Sequence, residues 1–425
     1  MSSRGPSSAL WRTGSGLLPV VLLGVLLGGC SGSGVTPGEA EASSSGAPQG
    51  TTSEGSTSAV DGSSTTQDGG MSSGSSSASS SGEPPQPANL LLMDSVIFYD
   101  GYAQTVDEPV PEGILRLSNS LVATRLTEQQ LSVIQSNLQM QVLIGALCDN
   151  YDRIGSVLLA LVPKGVEIYD PAEVTRVELA RFITPFMNKN LEPDTVPYEW
   201  ELDDVAAILT DPELQAEYDL WIELSVFGVP YAANNEVSGC AGRNDVFRGW
   251  LALYTDSTGE AADYDRLVPL AVTEAFNNYQ QGASDRLGTT RKTVEVTLDE
   301  DAEHAQVVLI TSNHGANPGG EEYNRRDHYV YLDGELALHY VPGRESCEPF
   351  RMYNTQGNGI YGPTPRSDEE WQSFSNWCPG DVIDTRTISW GAVAAGTHEL
   401  VIEVPDAVFA DGQGNIPFSA YVQAR

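Results

Sequence analysis

From about residue 90 to the C-terminus, the apolar residues come in short runs, several of them alternating with polar ones. Clusters of Gly, Pro, Asn and Asp separate the runs. Runs of this length make strands, and many of them in succession make antiparallel sandwiches or jelly rolls. In the first half, Val96–Tyr99, Ile114–Leu117, Leu138–Ile144, Val157–Val162, Glu178–Ile183, Tyr218–Phe227 and Phe247–Tyr254 read as strands. Leu138–Ile144 alternates, whereas Val157–Val162 is apolar on both faces. Leu202–Leu209 is the best short helix, opened by Asp203 or Asp204 and closed before Asp211-Pro212. Residues 228–246 read as a long polar loop. In the second half, Thr293–Leu298, Gln306–Thr311, Thr397–Val404 and Pro417–Gln423 read as strands. His328–Leu332, Asp333-Gly334 and Glu335–Tyr340 form a hairpin signal, because Asp-Gly accepts the positive φ of a type I′ turn. The loop region from the hairpin to Thr387 is rich in Gly, Pro, Trp and Tyr, and no helix is expected in this half. The expected fold is all-β, with one sandwich over residues 88–290 and a second over 291–425.

The N-terminal part is different. Arg4 and Arg12 precede an apolar core from Leu17 to Leu27, which has signal-peptide length and is short for a bilayer span. It ends in Leu27-Gly28-Gly29-Cys30, which looks like a bacterial lipobox. The expectation is a signal peptide over residues 1–29, cleavage before Cys30 and lipid on its thiol. Residues 30–87 are Ser, Gly, Thr, Ala and Pro with scattered acids and no Lys, Arg or aromatic residue. Such a segment buries too little apolar surface to offset its chain entropy and serves as a flexible tether. The protein is therefore expected at the cell envelope, at the outer membrane or cell surface.

The formal net charge is −36, from 58 acids against 22 bases. That balance excludes nucleic acid and anionic lipid as electrostatic partners, and leaves neutral ligands such as glycans open. With Cys30 lipidated, Cys148, Cys240, Cys347 and Cys378 remain, an even number in an oxidising compartment. Spacing leaves three pairings open. We favour one bridge inside each half, Cys148–Cys240 and Cys347–Cys378.

Three acids stand in unusual places. Asp152 lies in Cys148-Asp149-Asn150-Tyr151-Asp152-Arg153, a polar interruption between two apolar strands. Glu223 lies inside an apolar strand, where a carboxylate needs a partner or a raised pKa. Glu322 follows the Ser312-Asn313-His314-Gly315 loop. Each alone reads as a structural acid. Together they fit an acid/base site in which neighbouring carboxylates push each other's pKa values apart. Trp377, in Ser375-Asn376-Trp377-Cys378-Pro379-Gly380-Asp381, is a candidate for stacking on a sugar ring.

These motifs carry a resemblance to the bacterial peptide-N-glycosidase F family. Its Cys-Asp, aromatic, Asp-Arg stretch matches Cys148 to Arg153, and its Arg-Phe-Ile-Thr-Pro matches Arg181 to Pro185. Its acid–aromatic–basic order fits Glu322 to Arg326, and its Trp-Cys-Pro-Gly fits Trp377 to Gly380. The resemblance runs from about residue 95 to the C-terminus. It implies two eight-stranded jelly rolls side by side, with the active site where they meet. It implies an amidase that cleaves the bond between an N-linked glycan and asparagine, with no metal or other cofactor. The essential aspartate falls on Asp152 and the supporting glutamates on Glu223 and Glu322. Substrate contacts fall on Arg153, Trp377 and His314. The implied partner is an N-glycosylated protein or peptide, and the expected state is a monomer.

The chain departs from the family pattern at several points. Gly320 and Asn324 stand where a tight disulfide is expected, Leu143 replaces another cysteine, and Phe374 replaces an arginine near the Trp377 loop. The rim of the site is therefore altered while the three acids remain. The alternative reading is a glycan-binding or adhesion lipoprotein with a degraded site. A copper monooxygenase on a related double jelly roll is the third. It is disfavoured because the histidines, His304, His314, His328, His339 and His398, include no adjacent or alternating pair.

Overall fold

The computed structural model describes residues 86–260, 262, 264–276, 290–316, 320–408 and 414–425. The expected signal peptide, Cys30 and the expected tether as far as residue 85 lie outside these residues. The first-half strands are β1 (Ala88–Tyr99), β2 (Ile114–Ser118), β3 (Leu121–Arg125), β4 (Asn137–Ala146), β5 (Ile154–Pro163), β6 (Thr175–Ile183), β7 (Thr195–Glu201), β8 (Tyr218–Val226) and β9 (Asp245–Asp256). The others are β10 (Arg266–Phe276), β11 (Arg291–Leu298), β12 (Ala302–Thr311), β13 (His328–Leu332), β14 (Glu335–Tyr340), β15 (Val382–Ile383), β16 (Thr385–Val393), β17 (Gly396–Glu403) and β18 (Ile416–Ala424).

One sandwich packs the sheet β1-β9-β4-β7 against the sheet β15-β6-β5-β8-β3-β2. The other packs β10-β18-β12-β16 against β11-β17-β13-β14. All the pairings are antiparallel, as the alternating patterns require. The chain crosses to the second sandwich at β10, which pairs with β18 ahead of residue 290. The two-residue β15 crosses back and extends the first sandwich through β6.

The apolar pattern of β5 has a direct cause. Its Val157, Leu159 and Leu161 enter the main core with Val142, Ile144 and Met140 of β4. Its Ala160 and Val162 face a second cluster with Tyr169 and Trp221, so the strand is covered on both sides. The expected hairpin joins β13 to β14, with φ of 51° at Asp333 and 83° at Gly334. The helix Asp203–Thr210 forms where expected, and Asp211 caps the short helix Pro212–Glu217 that follows. The second half does contain a helix, Asp368–Phe374, contrary to the sequence expectation. Ser367 and Glu370 form a capping box at its start, and Trp371 anchors it in the loop region.

The two sandwiches share a buried seam. Val308 of β12 and Tyr421 of β18 belong to the first core. Ile183, Ile310, Trp377 and Ile383 form a smaller cluster beside it. At its centre Arg181 and Glu178 are fully buried and form an ion pair at 2.6 Å. The Arg181 guanidinium also donates to Ser312 Oγ at 2.9 Å and to the Pro417 carbonyl at 2.8 Å.

Candidate active site

The turn between β4 and β5 is organised by Asp149, not by Asp152. The Asp149 carboxylate is buried and accepts from Tyr151 N–H at 3.0 Å and Val229 N–H at 2.7 Å. It also accepts from Arg153 Nε at 2.7 Å, so the arginine is committed to Asp149. Thr184 completes the clamp. It accepts from Arg153 N–H at 2.8 Å through Oγ1, and its own N–H donates to the Arg153 carbonyl at 2.8 Å. This contact gives a physical reason for Arg181 to Pro185 to accompany Cys148 to Arg153: one stretch buttresses the other. The Cys148–Cys240 bridge ties the start of the turn to the 228–246 loop, and Cys347–Cys378 closes the second-half loop, both as expected.

Asp152 stands half-buried at the tip of this clamped turn. Burial first, then the charge of Glu322, pushes its carboxyl up to about 7, against the pull of Arg153. Glu322 comes from the other sandwich. Its carboxylate accepts from Gly315 N–H at 3.3 Å, and its carbonyl accepts from the Asn376 side-chain amide. Burial raises the Glu322 carboxyl as well, while Tyr323 and the Gly315 N–H favour its charged form. The Tyr323 phenol is pushed well up by burial and then by the charges of Glu322 and Asp152, so it stays a donor near neutral pH. Two carboxyls in electrostatic contact, one of them hydrogen-bonded to a protonated phenol, can hold one proton and exchange it. That is the equipment of general acid–base catalysis. Tyr323 was not singled out from the sequence, although it adjoins Glu322.

Glu223 is not part of this group. It lies on β8 opposite Leu158 of β5, four residues into that strand and so roughly 13 Å along it from the end that follows the Asp152 turn. Its carboxylate accepts from the Tyr169 hydroxyl at 2.7 Å and from Arg176 at 3.2 Å, beneath the loop after β5. Burial still raises it above the usual carboxylate range. The position fits a structural acid whose partners make its burial tolerable. Glu223→Gln in a folded protein is therefore expected to leave the reaction rate unchanged. It should lower stability by about 1–3 kcal/mol, read as a fall in melting temperature. Loss of activity without unfolding would return Glu223 to the site.

The expected contact residues also take defined places. Trp377 is 7% exposed, packs on Ile183, Ile310 and Ile383, and donates from its indole to the Asn313 carbonyl at 2.9 Å. It offers no open face to a sugar; it positions the loop that carries His314. The His314 ring lies 5.8 Å from Trp377, and its Nε2 is 2.8 Å from Ser312 Oγ. Burial, followed by the charge of Arg181, lowers its pKa to about 3, so it is neutral. Arg153 favours the ionised form of Asp152 by its charge while its hydrogen bonds go to Asp149. Among the described residues, no group of three or more His, Cys, Asp or Glu is placed to hold a metal ion.

Two family profiles match the chain, one described as Peptide-N-glycosidase F, N terminal, over residues 90–240. The other, Peptide-N-glycosidase F, C terminal, matches residues 283–423. Together they account for more than half of the chain. Similar solved structures include PNGF-II in a P21 crystal form, with a TM-score of 0.57, 19% identity and 80% of this chain covered. The C2 form gives 0.55, 18% and 80%. This chain spans 65% of the PNGF-II chain in each. PNGase F from Flavobacterium meningosepticum, described as a glycosylasparaginase, gives a TM-score of 0.47 at 15% identity, over 80% of this chain and 96% of that one. No curated protein sequence matches the chain.

Proposed function

Because the chain belongs to the peptide-N-glycosidase F family, we propose that it hydrolyses the amide bond between an N-linked glycan and its asparagine. The observation that carries this reading is the meeting of Asp152 and Glu322 from two different sandwiches, with the Asp152 carboxyl pushed up to about 7. Near neutral pH the pair holds one proton between them. The ionised member takes a proton from water as its oxygen bonds to the amide carbon. The C–N bond then breaks, and the protonated member delivers a proton to the departing nitrogen. Asparagine becomes aspartate and the glycan leaves as a glycosylamine. The Tyr323 O–H, hydrogen-bonded to Glu322, favours the charged form of that carboxylate.

Neither proton transfer calls for a metal, so turnover is expected to be the same with and without a chelator. Activity lost on chelation and restored by a divalent ion would contradict this. Both acids belong to one chain, so a monomer carries a complete site. The proposal also holds the enzyme at the cell envelope through lipid on Cys30, supported by the apolar core, the Leu27-Gly28-Gly29-Cys30 run and the tether that follows. Radiolabelled fatty acid should enter the wild-type chain in cells and be absent from Cys30→Ser. Equal labelling of both would refute the anchor.

A further inference from the structure

The loops joined to the Asp152 turn carry an aromatic surface that neither proton transfer uses. Tyr102 is 73% exposed and Tyr231 is 57% exposed. Their ring planes lie within 18° of parallel, with centroids 6.5 Å apart. The Phe227 ring supports Tyr102 edge to face at 5.2 Å. Gly101 makes that support possible, because a Cβ there would sit 2.5 Å from the Phe227 ring. The backbone under both tyrosines is held. Gly101 N–H donates to the Gly228 carbonyl at 2.9 Å, Tyr102 N–H to Asp100 Oδ1 at 3.0 Å, and Asn235 Nδ2 to the Tyr231 carbonyl at 3.2 Å.

This surface is joined to the Asp152 turn on both sides of the acid. Val229 N–H donates to Asp149 Oδ2 at 2.7 Å, and Phe227 N–H donates to the Ile154 carbonyl at 3.4 Å. These bonds bring the backbone that carries Phe227 and leads to Tyr231 against the turn that carries Asp152. The exposed chain neighbours of the two tyrosines are Ala103, Gln104, Thr105, Asn235 and Glu236, polar but for the one alanine. The rings thus stand among polar groups and do not extend an apolar patch of the kind that covers protein interfaces.

We propose that Tyr102 and Tyr231 form a carbohydrate subsite that stacks on pyranose rings of the substrate glycan, beyond the sugar joined to asparagine. The C–H face of a pyranose is apolar and weakly positive, which complements the negative face of a tyrosine ring, while the phenol hydroxyls meet the sugar hydroxyls. The identity of the sugar rests on the amidase reading; its binding is measured without turnover.

The test uses the full chain carrying Asp152→Asn, titrated calorimetrically with a free oligomannose N-glycan. Saturable binding is expected, and it should weaken about tenfold when Tyr102→Ala and Tyr231→Ala are added. It should survive Tyr102→Phe with Tyr231→Phe, and also Tyr254→Ala, a control at another exposed tyrosine. Equal binding by the alanine variant overturns the proposal, and so does absence of binding by the parent. With Asp152 restored, the alanine pair should raise KM for a glycopeptide bearing the complete glycan and not for one bearing a single sugar. A chain that binds the oligosaccharide through these tyrosines yet never converts a glycopeptide refutes the amidase reading and leaves the subsite standing.

Discussion

Asp152→Asn is expected to lower the rate of glycopeptide hydrolysis by about 10²–10⁴, the usual loss when a general acid/base group is removed. The side chain keeps its size, and the turn is held by Asp149, Thr184 and the Cys148–Cys240 bridge, so the fold is expected to persist. The same substitution changes how stability depends on pH. Burial and the charge of Glu322 raise the folded-state pKa from 3.8 to about 7. Between those values the folded chain binds the proton more tightly than the unfolded chain. The contribution of Asp152 to stability is therefore greatest below about pH 4 and falls as pH rises to about 7. The Asn variant lacks that decline, so it should melt higher relative to wild type at pH 8 than at pH 4. Full activity in the variant would refute the role of Asp152, and parallel melting curves across that range would refute the raised pKa.

The largest stability effect is expected at Arg181. Arg181→Met removes five donors from the seam and leaves the Glu178 carboxylate buried without its counter-ion. Breaking a buried pair on one side costs about 3–5 kcal/mol, which corresponds to a fall of roughly 5–10 °C in Tm. The double variant Glu178→Leu with Arg181→Met removes both charges and should recover most of that loss, because well-packed apolar residues replace a buried pair at little cost. Thermal melts of the three proteins decide the matter. A single variant as stable as wild type, or a double variant no better than the single, would contradict this view of the seam.

Much of the fold was legible because its signals are local. Asp333-Gly334 between two alternating runs specifies a turn with both φ values positive, and the hairpin is there. The Val157–Val162 run is apolar on both faces because β5 is covered on both faces. The helix Asp368–Phe374 was also legible in Ser367 and Glu370, a capping pair hidden among Gly and Pro signals.

The site was legible only in part. Asp152 and Glu322 could be singled out, but Glu223 looked equivalent to them. An acid in an apolar strand signals burial with a partner and does not say which partner. Here the partners are Tyr169 and Arg176, 54 and 47 residues away in sequence. The direction of the Trp377 indole was hidden for a similar reason, since packing against Ile183 and Ile310 from two other strands decides it. The pairing of Tyr102 with Tyr231 depends on Gly101 meeting Phe227 across two loops, and no local pattern records that approach.

The central claim is that Asp152 and Glu322 together cleave a glycosylated asparagine. Its most direct test is mass spectrometry of a defined N-glycopeptide incubated with the purified wild-type chain, Asp152→Asn and Glu322→Gln. The expected result is loss of the glycan with conversion of the linked asparagine to aspartate by the wild type, and conversion slowed by at least about a hundredfold in each variant. A wild-type chain that converts no glycopeptide across several glycan types, or variants that convert it at the wild-type rate, would contradict the account.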